Sequence, residues 1–192
     1  MIKTILFDVD GVVLIGEKFS FQYEKDFGLE PGVMTEFFIG PFQDCKIGEK
    51  DMKEELQPYL KKWNWGKGVD EFLQYWFPIE IKLNEELLLK VKELQKKGIV
   101  CGLATSQEKY RLEYLKKELD FESKFDSIFC SCEIGVSKPS IVFFEKIFER
   151  LDCEKDEVLF FDSHENNVEA AREFGFQSEK YTSLDNFAKY GL

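Results

Sequence analysis

Four stretches of the chain carry side chains suited to handling a negatively charged group. The segment "ILFDVDGVV", residues 5–13, places Asp8 and Asp10 one residue apart behind an apolar run. "GLATSQ" closes an apolar run on Thr105 and Ser106, "GVSKPS" holds Lys138, and "EVLFFD" ends in Asp162. Carboxylates as close as Asp8 and Asp10 repel one another unless a cation lies between them. Carboxylates are the natural ligands of a hard cation such as Mg2+. A lysine and such a cation together neutralise phosphoryl oxygens. The set therefore reads as the equipment of phosphoryl chemistry.

Each piece alone has a simpler explanation. Asp10-Gly11 suits a hairpin turn. A calcium loop counted from Asp8 fails, because Val13 stands where the glycine belongs and Phe19 where the glutamate belongs. Thr105 and Ser106 could cap a helix, as could Asp162, and Lys138 alone would be a surface lysine. What carries the functional reading is their order and their common placement at the ends of apolar runs.

Those runs define the elements that must position the residues. Residues 3–8 read as a buried strand. From 16 to 82 the texture is helical, with segments at 18–27, 31–38, 49–62 and 69–77 punctuated by Gly28, Pro31, Gly40-Pro41, Gly48 and Gly66. Asn84 then caps a helix carrying Leu87, Val91 and Leu94 on one face, stopped by Gly98. Strands at 99–104, 127–131 and 157–162 alternate with helices near 108–119, 140–151 and 166–174, before a short extended piece, "SEKYT", and a last helix near 184–190. Continuous apolar strands alternating with helices indicate a parallel sheet covered on both faces. The expected fold class is thus α/β: a Rossmann-like core of residues 1–15 and 83–192, interrupted after its first strand by an α-helical insert of residues 16–82. In such a sheet ligands bind outside the carboxyl ends of the strands.

Composition agrees with a globular chain: of 192 residues, 44% are hydrophobic and 20 are phenylalanine, too much apolar surface to remain disordered. The net charge of −11 makes nucleic acid a poor partner, since duplex affinity comes from basic side chains on phosphates. A small anionic substrate is compatible, because a local field can oppose the global one. The apolar runs are too short to span a bilayer, and Asp8 follows too soon for a signal peptide, so the expectation is a cytoplasmic protein with no membrane partner. The five cysteines include no CxxC and there is a single His, which argues against zinc. Cys130 and Cys132, spaced to share one side of a strand, are read as reduced packing residues rather than a redox pair.

Taken together, these motifs resemble the haloacid dehalogenase-like hydrolases, in the phosphatase branch with a helical cap. The resemblance runs over the whole chain: "ILFDVDGVV", "GLATSQ", "GVSKPS" and "LFFDSHENNVEAAREFGF" follow the family's four motifs in order, and residues 16–82 fall where the cap belongs. It implies a Mg2+-dependent phosphatase acting on a small phosphorylated metabolite. Asp8 would be the nucleophile that forms an aspartyl-phosphate, and Asp10 the acid and base. Thr105, Ser106 and Lys138 would bind the phosphoryl group. Asp8, Asp10 (through its carbonyl) and Asp162 would hold the metal. The dehalogenases proper lack the second aspartate, which favours phosphoryl transfer. Selectors of the substrate are expected around Phe19–Tyr23 and in "GPFQDCKIGEKD".

One departure stands out. Relatives carry two adjacent acids where this chain has Asp162-Ser163, leaving Asp162 to reach the metal itself or through water, with Glu165 as a substitute. His164 reads as a loop residue. Rival readings are a sugar phosphomutase, which shares the aspartyl-phosphate, and a degenerate relative that binds a phosphorylated ligand or partner without turnover. A receiver domain is disfavoured by the nearly hundred residues between Asp8 and Thr105.

Overall fold

The computed structural model describes residues 1–192. The strand β1 (Thr4–Phe7) is followed by five helices: α1 (Phe19–Asp26), α2 (Thr35–Ile39), α3 (Pro41–Lys46), α4 (Met52–Lys62) and α5 (Val69–Ile79). Then come α6 (Glu85–Lys96), β2 (Val100–Thr105), α7 (Lys109–Lys117), α8 (Phe121–Lys124), β3 (Ser127–Cys130), α9 (Ser131–Ile134) and α10 (Ile141–Phe148). The chain continues through β4 (Val158–Asp162), α11 (Glu165–Phe174) and β5 (Gln177–Lys180), and closes with a 3-10 turn at Leu184–Tyr190. The sheet is five-stranded in the order β3-β2-β1-β4-β5, and every pairing is parallel.

Side chains alternate between the two sheet faces, and each face buries its own apolar cluster. Ile5, Phe7, Leu103, Leu159 and Phe161 pack with Leu87, Val91 and Leu94 of α6. Leu6, Ala104 and Phe160 pack on the other face with Phe143, Phe144 and Ile147 of α10 and Ala171 of α11. Asn84 caps α6 by accepting from the Leu87 amide. No helix is long and apolar enough to cross a membrane.

The helices α1–α5 surround a separate apolar cluster that includes Phe19, Tyr23, Phe37, Trp63, Phe72 and Trp76. Their two connections to the sheet run side by side: Ile15 N–H donates to the Lys82 carbonyl at 2.8 Å and Asn84 N–H to the Val13 carbonyl at 2.9 Å. Four details differ from the sequence-based expectation. The helix expected at 31–38 covers Thr35–Ile39, because residues 31–34 form a turn. Gly40-Pro41, read as punctuation, opens α3 with Pro41 in the first turn, where its missing N–H costs nothing. Cys132 does not share a strand with Cys130, because β3 ends at Cys130 and Cys132 already belongs to α9. The closing helix expected at 184–190 is a 3-10 turn.

Candidate active site

The order of the strands turns outward on either side of β1 and β4, and the crevice beyond their carboxyl ends is where such sheets bind ligands. Asp8 stands one residue past β1, its amide donating to the Phe161 carbonyl at 2.8 Å. Asp162 is the last residue of β4 and wholly buried. Lys138 lies between them: its Nζ is 2.8 Å from Asp8 Oδ1 and 2.6 Å from Asp162 Oδ2. The Lys138 amide donates to Ser106 Oγ at 3.2 Å, so the loop after β2 and the lysine loop are tied together. Thr105, at the end of β2, is buried, and its hydroxyl accepts from Gln107 Nε2 at 3.4 Å.

The electrostatics of this group follow from burial. Asp8 is pushed up to about 7, chiefly because its carboxyl is buried and further because Asp162 is close, with Lys138 opposing both. For Lys138, burial favours loss of the proton, but the two carboxylates outweigh it and its pKa is raised. One ammonium thus serves two buried carboxylates, which leaves a deficit of positive charge. Asp8 Oδ1 accepts from the Val9 amide and Lys138. Asp162 accepts from the His164 amide at 2.8 Å and from Asn167 Nδ2 at 3.0 Å.

The oxygen donors fit a hard divalent cation on two grounds: their chemistry, and the charge deficit that Lys138 alone does not cancel. Ligand atoms of Asp8, Asp162 and His164 lie within 4.8 Å of one another. His164, read as a loop residue, is exposed but turns Nδ1 to 3.5 Å from Asp162 Oδ1. Glu165 opens α11 outside that group. Ser163, where a second acid was expected, donates Oγ to the Asp10 carbonyl at 3.2 Å. Gly11, at φ +84°, leaves room for it: a Cβ there would come within 2.5 Å of Ser163 Oγ.

The Asp10 side chain points elsewhere. Its Oδ2 accepts from Gln107 Nε2 at 2.5 Å, and its Oδ1 lies 3.3 Å from Arg111 Nη2. Arg111 is buried in α7, and its Nη1 lies 2.6 Å from Oε2 of Glu80, just beyond α5. Glu80 Oε1 accepts from the Phe19 amide at 3.0 Å, so one guanidinium links Asp10 to both ends of the helical block. Glu108 caps α7 by accepting from the amides of Tyr110 and Arg111. Burial drives the Glu108 carboxyl up to about 7 against those two bonds.

Above these residues lies a cavity of about 670 Å3, within the range of small-molecule sites. Asp10, Ser106 and Arg111 line its sheet side, and Phe21, Phe42 and Lys46 line it from the helical block. Of the expected selectors, Phe19 and Tyr23 are buried in the block's own core, whereas Ser20, Phe21, Phe42, Gln43 and Lys46 face the cavity. Lys46 makes no ion pair, and burial, with the charge of Lys138, lowers its pKa. Sequence reasoning missed Gln107, Arg111 and Glu80. Arg111 offered a faint signal, standing between the apolar face of α7 and the Thr105-Ser106 turn.

Comparison with known proteins places this geometry in context. A model of haloacid dehalogenase-like hydrolases matches residues 2–175. A phosphorylated carbohydrates phosphatase from Thermotoga maritima is 24% identical over 186 residues, covering 91% of this chain and 82% of that protein. Among solved structures, a HAD family enzyme from Bacteroides thetaiotaomicron in complex with magnesium and inorganic phosphate superposes with a TM-score of 0.81. It is 18% identical, with 99% of each chain covered. A predicted HAD-like family hydrolase from Porphyromonas gingivalis gives 0.80 at 20% identity, covering 99% of this chain and 96% of that one.

Proposed function

Because this chain belongs to the haloacid dehalogenase-like hydrolases, we propose that it is a Mg2+-dependent phosphatase of a small phosphorylated metabolite. In this reading, residues 16–82 act as a cap over the cavity and the sheet domain does the chemistry. Asp8 is the nucleophile: its Oδ1 is engaged by Lys138 and the Val9 amide, and Oδ2 is left to attack phosphorus. The P–O bond to the leaving group breaks as the Asp8–phosphorus bond forms, and the leaving oxygen takes a proton from Asp10. Water then attacks the aspartyl-phosphate, Asp10 takes the proton back, and Asp8 is released. Lys138 offsets charge on Asp8 and on the phosphoryl oxygens, and Thr105 and Ser106 hold those oxygens. Mg2+ would be held by Asp8, the Asp10 carbonyl and Asp162, supplying further neutralisation of the phosphoryl group when bound.

The observation that supports this reading most directly is the Lys138 ammonium set between Asp8 and Asp162 at the strand ends. The name of the Thermotoga relative favours a phosphorylated carbohydrate as the substrate class. Hydrolysis of an aryl phosphate, measured with Mg2+ and with chelator beside Asp8→Asn, tests the proposal. The expected result is metal-dependent turnover that falls by at least about a thousandfold in the variant. Turnover that survives the loss of the Asp8 charge would remove Asp8 as nucleophile.

A further inference from the structure

At the carboxyl end of β3, the turn into α9 brings two thiols together. Cys130 is buried and Cys132 is partly exposed, and their Sγ atoms are 3.4 Å apart. The other cysteines behave differently: Cys101 and Cys45 belong to apolar clusters and Cys153 packs against one. Cys130 and Cys132 belong to none of these and face each other instead.

This short segment touches the site in three ways. Cys130 Sγ donates to the Gln107 carbonyl at 3.3 Å, and the side chain of Gln107 holds the Asp10 carboxylate. Ser131, between the cysteines, donates its hydroxyl to the Lys46 carbonyl at 2.6 Å. The Cys132 carbonyl approaches Gly48 so closely that a Cβ there would come within 2.6 Å of it. Lys46 ends α3 and Gly48 follows it, so the end of α3 rests on α9 through Ser131 and Cys132.

We propose that Cys130 and Cys132 are a reversible dithiol–disulfide modification site, oxidised by a small disulfide, and that closure unseats α3 from α9. The more exposed Cys132 reacts first. Cys132 Sγ attacks one sulfur of the small disulfide, whose S–S bond breaks and expels a thiolate that is then protonated. Cys130, giving its proton to solvent, attacks Cys132 Sγ and expels the second small thiol. The protein loses two electrons and two protons, and the small disulfide becomes two thiols. Bond formation draws the sulfurs from contact to about 2.05 Å. Cys130 loses the S–H that it gives Gln107, and the carbonyl seat of Gly48 shifts with Cys132. The chemistry of the pair is independent of the proposed activity; only its consequence for turnover rests on that reading.

The native chain is incubated with oxidised glutathione and followed by intact mass, peptide mapping and amide hydrogen exchange. The expected result is a loss of about 2 Da with an internal disulfide in the tryptic peptide 125–146, reversed by dithiothreitol. Cys45, Cys101 and Cys153 stay open to alkylation after unfolding, amides 46–49 exchange several-fold faster, and Cys132→Ser and Cys130→Ala each abolish both changes. A stable mixed disulfide at Cys132, or earlier oxidation at another cysteine, overturns the pair. A complete disulfide with unchanged exchange at 46–49 overturns its effect on α3. If the reduced chain hydrolyses no aryl phosphate, the phosphatase reading fails while mass and exchange still decide the thiols.

Discussion

At the scale of single residues, burial sets the behaviour of the site's acids. Glu108 is almost fully buried, and its carboxyl is raised from 4.5 to about 7. The native chain therefore keeps a proton that the unfolded chain releases between those values, so stability falls as pH rises through that window. The loss is at most about 3 kcal/mol. Glu108→Gln keeps an acceptor for the α7 amides without the charge. Its urea midpoint should fall less than that of the parent chain between about pH 5 and pH 8. Ser163 supports a second prediction: Ser163→Asp adds an anionic ligand beside Asp8 and Asp162, and should tighten Mg2+ binding by roughly tenfold in calorimetry. In chelator the same variant should melt at lower temperature, because another carboxylate joins an acid group served by one lysine. Asp8, Asp10 and Asp162 were legible in the sequence because they stand at or just past apolar strand ends, and Lys138 because of the GVSKPS loop that leads into a helix. Arg111 was not, because nothing local says that a helix turns a charged side chain inward, and only the tertiary fold brings Glu80 to Arg111 and the Gln107 amide to Asp10.

At the scale of elements, β1, β2 and β4 were easy to read because strands buried on both faces are continuous apolar runs. The short helices were harder: α8 and α9 have four residues each, too few for periodicity to speak. The connection between sheet and helical block is the element on which the proposed cap depends. Gly16 lies where the two linkers touch, and a Cβ there would strike the Glu80 carbonyl. Gly16→Ala should push the linkers apart and shift Glu80, and with it the Arg111 contact to Asp10. The expected result is a fall in kcat/KM of roughly tenfold with Tm changed by only a few degrees, read from kinetics and melting on the same preparation. A loss of stability without a kinetic change would make Gly16 a packing residue only.

At the scale of the whole molecule, the chain holds its sheet clusters and its helical cluster in different places, and all three tryptophans belong to the helical block. Phe72 packs against Phe19, Tyr23, Trp63, Trp65 and Trp76. Phe72→Ala should cost about 3–5 kcal/mol, felt first in that block. In the parent chain, tryptophan fluorescence and far-ultraviolet circular dichroism should report one coincident urea transition, since Tyr110 and Tyr114 of α7 pack on the block. In the variant, fluorescence should change at lower urea than dichroism. The strand order has a consequence for the growing polypeptide. The strand leading to Asp8 is made first, yet it lies between β2 and β4, whose residues come from 100–105 and 158–162. On a ribosome adding about 5–20 residues per second, roughly 8–30 s pass between the synthesis of β1 and that of its second neighbour. The helical block, with every helix complete by Ile79 and a cluster of its own, is free to fold during that wait. The segment that bears the proposed nucleophile is thus an unpaired apolar strand until β2 is made and has one bare edge until β4 is made, the stretch a nascent-chain chaperone would have to cover.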